Sequence, residues 1–228
     1  MKLIDYNNPA SWAYRFRQRR MKWLVELVRF VVCQGNLKEV KICDVGGTAA
    51  YWQSFPFEDF HNIVFHIDLI NLEYPDYDQG VRLPDHVILQ KLHGNACDLC
   101  EIQDANYHVA HSNSVIEHVG GWQQIEKMAR ELQRVSRYYF IQTPDYWFPV
   151  EPHFLIPFYA MLPRPIRVWL QLHVIGETDY LAAIREDDAV RLLTRKEMNY
   201  LLPKGEVLIE RFFGFSKSIV VRSPCKSM

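Results

Sequence analysis

The fold class is indicated by the stretch Val40-Lys-Ile-Cys-Asp-Val-Gly-Gly-Thr-Ala-Ala-Tyr-Trp52. Its first six residues form a short apolar run that is typical of a buried β-strand, and Gly46 and Gly47 follow at once. A helical pattern begins at Tyr51, so the stretch predicts a strand, a glycine turn and a helix. Glycine at such a turn lets a ligand approach the backbone closely.

Similar apolar runs recur along the chain and alternate with helical or loop segments. Strands are predicted at 61–68, 86–92, 107–111 and 138–142, and helices at 122–132 and 194–201. Two final strands, 206–213 and 216–221, are joined at Gly214, and so short a link requires an antiparallel hairpin. The alternation predicts an α/β fold, with a doubly wound, mostly parallel seven-stranded sheet that ends in this hairpin.

Length and composition predict a single domain over residues 1–228. The chain is 49% hydrophobic, and no Gly/Ser tract divides it. Apolar residues at three- and four-residue steps predict an amphipathic helix over about 9–34, with Asn8 and Pro9 as its start signals. The segment of about 145–175 is rich in prolines and aromatics, and we expect an insertion that covers the acceptor site.

Charge and cysteine content narrow the classes of partner and compartment. A net charge of -1 gives no field for holding a polyanion, which argues against nucleic acid. Five cysteines without a disulfide rhythm favour reduced thiols in the cytoplasm, and Cys97 and Cys100 lack the further ligands of a zinc site, so no metal is expected. The residues show no signal peptide and no bilayer-spanning run. A membrane surface, met by the basic first helix, is the less favoured partner.

Small or polar residues stand at the ends of four successive predicted strands. Asp68 ends the second strand and lies 24 residues after Asp44, close to the roughly twenty expected between a nucleotide-binding turn and the acid that holds a ribose. Asn95 and Ala96 follow the third strand, and Asn113 follows the fourth. The carboxyl ends of parallel strands share one edge of a sheet, so these residues predict a nucleotide-like cofactor there.

The chain resembles the class I S-adenosylmethionine-dependent methyltransferases, especially the small-molecule enzymes with a type 11 methyltransferase domain, over roughly residues 40–144. The matching runs are Asp44 to Trp52, Asp68-Leu69, Gly94 to Leu99 and Ser112-Asn-Ser-Val-Ile-Glu-His-Val119. The resemblance implies a Rossmann-like methyltransferase fold and S-adenosylmethionine as the cofactor. It also implies that the cofactor is bound by Asp44, Gly46, Gly47, Thr48, Asp68, Leu69, Asn95, Ala96, Ser112 and Asn113.

Within that resemblance, Asp44 would orient the methionine end, Asp68 would hold the ribose, and Asn95 with Ala96 would meet the adenine. Replacing Asp68 by alanine is therefore expected to abolish cofactor binding. The chain departs from the family in three places. Thr48 and Ala50 occupy the second and third glycine positions of the turn, Asn95 replaces the common aspartate, and His108 stands where an aspartate often opens the fourth strand.

The acceptor is expected to be a small molecule or a glycan-type compound that is methylated on oxygen. A base would assist such a transfer, and His153 in the insertion and His118 after the fourth strand are the candidates. His111 is expected to be a satisfied strand-end histidine, and Glu117 to hold a nearby backbone or hydroxyl donor. A non-catalytic cofactor-binding module or partner subunit is the alternative function. A nicotinamide dehydrogenase would need glycine at positions 48 and 51, which are Thr and Tyr.

Overall fold

A computed structural model describes residues 12–74, 80–150 and 156–225. Its centre is a seven-stranded sheet in the order β3-β2-β1-β4-β5-β7-β6. The strands are β1 Glu39–Val45, β2 Val64–Asn71, β3 Val87–His93, β4 Tyr107–Asn113, β5 Ser136–Pro144, β6 Glu206–Phe212 and β7 Phe215–Arg222. The first five run parallel, and β7 pairs antiparallel with both β5 and β6. The predicted Rossmann-like sheet with its terminal hairpin is confirmed.

Helices cover both faces of this sheet, as a parallel sheet requires. The helices are α1 Trp12–Gly35, α2 Ala49–Trp52, α3 Trp122–Val135, α4 Arg164–Leu170, α5 Tyr180–Ala189 and α6 Arg195–Leu201. On one face, Leu24 and Leu27 of α1 pack in a cluster with Ile42 of β1. On the other face, Ile125 and Met128 of α3 pack in a cluster with the strand residues whose side chains point away from α1.

The second strand differs from its prediction at both ends. Residues 61 and 62 form a turn after a short 3-10 helix, Phe57–Phe60, and the strand begins only at Val64. It then continues three residues past Asp68, because Leu69 and Ile70 are buried and extend the apolar run to Asn71. The prediction that Asp68 ends this strand is therefore wrong.

The insertion is more helical than its prolines suggested. It contains a 3-10 turn at Tyr159–Met161, helix α4 and a π-helical turn at Gln171–Ile175, and it is followed by α5, which the sequence analysis missed. Pro163 and Pro165 stand at the cap and first turn of α4, where proline starts a helix instead of breaking one. The next helix, α5, begins with a different signal: the Asp179 carboxylate caps it by accepting a hydrogen bond from the Leu181 amide.

Two further expectations concern the start of the first helix and the bilayer-spanning segments. The start signals of the first helix, Asn8 and Pro9, lie outside them. Among the helices that the structure describes, none combines the length and the apolar character needed to cross a bilayer.

Candidate functional site

A cavity of about 560 Å³ opens at the carboxyl ends of β1, β2 and β3. Parallel sheets bind ligands at this edge, where the strand order reverses beside β1. The residues that line the cavity come from the three strand ends and from the segment that follows β4. They are Val45, Gly46, Ile70, Asn71, Leu72, Glu73, Gly94, Asn95, Ala96, Cys97, Val115, His118, Val119 and Gln124.

The glycine turn forms one wall of the cavity. Gly46 has a φ of +73°, and its amide donates to the Ile70 carbonyl at 2.9 Å. A Cβ on Gly46 would overlap the side chain of Val115, so the turn has no space for a larger residue. The Gly47 carbonyl accepts from Asn71 Nδ2 at 2.9 Å, which ties the turn to the end of β2. The predicted turn residues Gly46 and Gly47 thus lie at the strand edge, whereas Thr48 is the N-cap of α2.

The end of β2 brings three residues into the cavity that the sequence analysis missed. Asn71 is the last strand residue, and Leu72 and Glu73 follow it along the cavity wall. Leu72 is 61% exposed although it is apolar, and the Glu73 carboxylate is also exposed. The signal for them was the apolar pair Leu69 and Ile70, which extends the strand beyond Asp68.

Asp68 lies on the face of the sheet instead of at its edge. Its carboxylate accepts a hydrogen bond from the Tyr107 hydroxyl at 2.7 Å, and it is not among the described residues that line the cavity. Burial, followed by this hydrogen bond, raises the pKa of Tyr107 well above its ordinary value. Leu69 is fully buried in the core cluster beneath α1. The structure therefore does not bring these two predicted cofactor residues to the cavity.

Asp44 is enclosed within the protein. It is fully buried, and its two carboxylate oxygens lie 2.7 Å from Trp52 Nε1 and 2.6 Å from His111 Nδ1. His111 Nε2 in turn lies 3.2 Å from the Tyr51 hydroxyl. A Cβ on Gly47 would overlap the Asp44 carboxylate, so this network also requires glycine in the turn. His111 is buried and hydrogen bonded as expected, but it lies within β4, two residues before the strand ends.

The end of β3 supplies a polar cavity wall. Asn95 and Ala96 both line the cavity, as their position after β3 predicted. Asn95 Oδ1 accepts from the Cys97 amide at 2.9 Å, which fixes the side chain in an Asx-type turn. Its amide nitrogen can still donate to a bound group.

Ser112 and Asn113 are the last two residues of β4 and do not follow the strand as predicted, and each carries a buried polar oxygen. Ser112 Oγ and Asn113 Oδ1 are buried, and neither makes a hydrogen bond within the described part of the chain. Buried polar groups are rarely left unpaired unless a ligand or solvent completes them. The adjoining Ser114 is satisfied, since its hydroxyl donates to Gln142 Oε1 at 2.9 Å.

Of the two predicted bases, His118 lines the cavity and His153 lies outside the described residues. The His118 side chain is 38% exposed, and its Nε2 is 4.0 Å from Glu117 Oε1. Glu117 is fully buried, and its Oε2 accepts from the Thr143 hydroxyl at 3.0 Å. The expected structural role of Glu117 is thereby confirmed.

A second cavity of about 410 Å³ reaches the short helix Ile116–His118 through its lining residue Arg191. Its lining is polar and aromatic: Tyr146, Tyr159, Ala160, Arg167, Glu186, Asp187, Val190, Arg191, Leu192, Thr194 and Glu197. The two cavities are neighbours through this helix, because the Arg191 amide donates to the Glu117 carbonyl at 2.7 Å while His118 faces the first cavity. The insertion thus contributes one wall of the second cavity, through Tyr159 and Arg167.

Ion pairs neutralise the two arginines of α4. Arg164 Nη2 lies 2.6 Å from Asp188, and Arg167 Nη2 lies 2.8 Å from the buried Asp187. Arg191 also has an ion pair, but a longer one, at 3.7 Å from Glu197, and its guanidinium lies over the Trp122 ring at 5.2 Å. Arg191 is therefore the better placed of these three to meet an acceptor.

All five cysteines are free. Burial raises the pKa of Cys97, and hydrogen bonding to Asp98 raises that of Cys100. Both thiols are therefore held in the protonated form, which does not favour metal binding. Within residues 12–74, 80–150 and 156–225, no group of three or more metal-ligating side chains occurs.

No protein-family model matches the chain, and a search of curated proteins finds no relative. Solved structures do share its architecture. A loganic acid methyltransferase with SAH superposes at a TM-score of 0.53 and 8% identity, over 90% of this chain and 76% of that chain. A SAM-dependent methyltransferase from Methanosarcina mazei gives 0.46 and 13% identity, over 82% and 93%. A Rhodobacter sphaeroides protein named as a zinc-dependent alcohol dehydrogenase gives 0.48 and 8%, over 86% and 87%. The 0.53 superposition shows that the chain shares the Rossmann-like fold of that methyltransferase.

Proposed function

We propose that this chain binds S-adenosylmethionine in the strand-end cavity and transfers its methyl group to a small-molecule or glycan-type acceptor, with oxygen as the receiving atom. The observation that carries the proposal is the cavity of about 560 Å³ at the ends of β1 to β3, which combines a bare glycine turn, an exposed carboxylate and an amide. A nucleoside cofactor needs these three groups at such an edge. The superposition with a methyltransferase that holds SAH supports the same cofactor.

The residues present fit the cofactor. The Glu73 carboxylate would accept from the ribose hydroxyls, in place of the Asp68 expected from the sequence. The exposed Leu72 side chain offers an apolar surface for the adenine, while Asn95 and Ala96 offer polar groups at its edge. The unpaired Ser112 and Asn113 oxygens lie at the end of β4, where the resemblance puts the methionine end.

The chemistry asks mainly for positioning. When bound, the cofactor supplies a methyl group that its sulfonium already makes electrophilic. The chain's residues would hold the acceptor in line with that group and exclude water. We assign the acceptor to the second cavity, because its lining residue Arg191 is hydrogen bonded to Glu117, the neighbour of His118 in the first cavity. Tyr146 and Arg191 there offer a ring and a cation for a polar acceptor.

His118 is our candidate base for an oxygen acceptor. It stands on the turn between the two cavities, and its side chain is partly exposed. A base in hydrogen-bond reach of a hydroxyl is worth about 10²- to 10⁴-fold in rate. His153 remains a second candidate from its position in the insertion. The five free thiols are compatible with the cytoplasm as the compartment.

Titration calorimetry with S-adenosylmethionine tests the cofactor assignment. We expect the natural chain to bind, and Glu73→Ala to bind about 10- to 100-fold more weakly, since a charge-assisted hydrogen bond contributes about 1.5–3 kcal/mol. Asp68→Asn is the matched control and should retain its affinity within a few-fold. Absence of binding to the natural chain at millimolar cofactor would refute the assignment. Loss of binding in Asp68→Asn alone would return the ribose to Asp68.

A non-catalytic cofactor-binding module is the second candidate function. Two observations favour it: the turn has Thr48 and Ala50 at glycine positions, and the Asp44 carboxylate is already saturated by Trp52 and His111. Incubation of a metabolite extract with methyl-labelled cofactor separates the two functions. A labelled product that disappears in His118→Ala supports the enzyme. Binding of the cofactor without any labelled product supports the module.

A further inference from the structure

The tip of the β6–β7 hairpin has a composition that neither its turn nor the core explains. Its two-residue loop is Phe213-Gly214, with φ angles of 46° and 87°. Such loops favour asparagine or glycine, and a bulky residue at positive φ is uncommon. Phe213 is nevertheless 80% exposed, and Phe215 is 54% exposed. Two large aromatic side chains thus project into solvent from a strained turn.

Arginines surround this tip. A groove of about 310 Å³ is lined by Arg15, Arg19 and Arg211 together with Phe16, Phe212 and Phe213. Arg15 and Arg19 are one turn apart on α1, so they lie on the same face of the helix. No ion pair to Arg19 or Arg211 occurs among the described residues, and the one carboxylate beside Arg211, Glu210, is fully buried against Arg20. The groove therefore presents positive charge next to exposed rings.

The tip lies on the same edge of the sheet as the strand-end cavity. β7 runs antiparallel to β5, so its first residues stand beside the carboxyl end of β5. The Asp145 amide, just past β5, donates to the Lys217 carbonyl at 3.1 Å. Two residues further along, Trp147 is 61% exposed. A third large aromatic side chain therefore projects from the edge that carries the hairpin tip.

We propose that Phe213, Phe215, Trp147 and the arginines of the groove form a docking surface for an anionic lipid membrane. Aromatic rings favour the headgroup level of a bilayer, and arginines bind the phosphates of anionic lipids. Charge complementarity selects this occupant, because Arg19 and Arg211 offer guanidinium groups and no carboxylate occurs among the described residues that line the groove. The sequence alone made a membrane the less favoured partner, because it did not reveal the exposed hairpin tip.

Flotation of the full chain with lipid vesicles tests the docking surface, and it requires no cofactor. We expect binding to vesicles of phosphatidylcholine with phosphatidylserine at low ionic strength, and much weaker binding at high ionic strength or to phosphatidylcholine alone. The double variant F213S/F215S should lower the partition coefficient about tenfold or more, since each buried ring contributes strongly to insertion. The double variant R19E/R211E should bind weakly and lose its salt dependence.

Two control variants carry similar changes elsewhere. Ile88→Ser replaces a side chain that is 44% exposed on β3, at the opposite edge of the sheet, and Arg130→Glu reverses an exposed charge on α3. Both should float like the natural chain, and circular dichroism should show all four variants folded. Failure of the natural chain to float with anionic vesicles at low salt overturns the proposal. So does equal flotation of F213S/F215S, or a dimer that depends on Phe213 in a chain that does not float.

Discussion

Two carboxylates near the glycine turn have opposite surroundings. Asp44 on β1 is fully buried, and both of its oxygens already have partners in Trp52 and His111. Glu73, just past β2, is exposed on the wall of the cavity. The sequence pattern pointed to Asp44 and gave no sign of Glu73. A motif therefore locates a turn, whereas the hydrogen bonds already made within the protein decide which carboxylate remains available to a ligand.

The difference follows from side-chain alternation along β1. Asp44 points to the face covered by α1, where Ile42 also lies, while Val45 points toward the cavity. Trp52 and Tyr51 fill the space under Asp44 on that face, as part of a ring cluster that includes His111. Asp44 therefore acts on the position of the turn from inside the protein.

The largest effect should come from removing the enclosed carboxylate. Asp44→Ala leaves Trp52 Nε1 and the His111 ring without their buried partner, so we expect a loss of about 3 kcal/mol in the free energy of unfolding. Urea denaturation measures it. Asp44→Asn keeps one acceptor oxygen and should lose less. A loss below about 1 kcal/mol in Asp44→Ala would mean that the network does not stabilise the fold.

A smaller effect is expected from removing the hydrogen bond between Tyr107 and Asp68. This change tests whether Asp68 has a structural role and no role in ligand binding. Tyr107→Phe removes the 2.7 Å hydrogen bond to Asp68 and should lower the free energy of unfolding by about 1 kcal/mol. Cofactor affinity should stay unchanged, because neither residue lines the cavity in the described chain. The same calorimetry and denaturation experiments measure both quantities. A large loss of affinity with unchanged stability would contradict the separation.

The smallest effect is expected at the start of β4, three residues before His111. Burial, and then the charges of Arg137 and Lys41, lower the pKa of His108, and its Nδ1 accepts from the Lys41 amide at 2.9 Å. The folded state thus binds this proton less tightly than the unfolded chain, whose pKa is near 6.5. Its contribution is complete above that pH and is lost as pH falls toward the folded pKa.

Thermal unfolding of the natural chain and of His108→Asn, above and below pH 6.5, measures this contribution. We expect the natural chain to lose slightly more stability on acidification than His108→Asn. An identical pH dependence in both proteins would show that His108 makes no such contribution.

The sequence predicted those parts of the fold that depend on the pattern of neighbouring residues. Continuous apolar runs identified the strands, and the single glycine between the last two predicted strands required their hairpin. The prediction of where β2 ends was wrong because Asp68 was taken as the last residue of the strand. Leu69 and Ile70 continue the strand, since they have core partners that only the folded sheet provides. Helix α4 was not predicted because prolines both begin helices and interrupt them.

The sequence likewise predicted only part of the candidate site. Gly46, Asn95 and Ala96 follow strand ends and line the cavity, since backbone position alone brings them there. The sequence did not predict that Asp44 and Asp68 are already engaged within the protein. Their hydrogen-bond partners, Trp52 and Tyr107, lie further along the chain and are brought near only by folding. Glu73 was missed because its availability depends on where β2 ends.

A crystal structure of the chain with S-adenosylhomocysteine tests the central claim most directly. We expect the nucleoside in the strand-end cavity, with its ribose hydroxyls on Glu73 and its adenine between Leu72 and Asn95, and with Asp44 still bound to Trp52. A ligand held by Asp68, or a cavity that stays empty while the compound binds elsewhere, would contradict it.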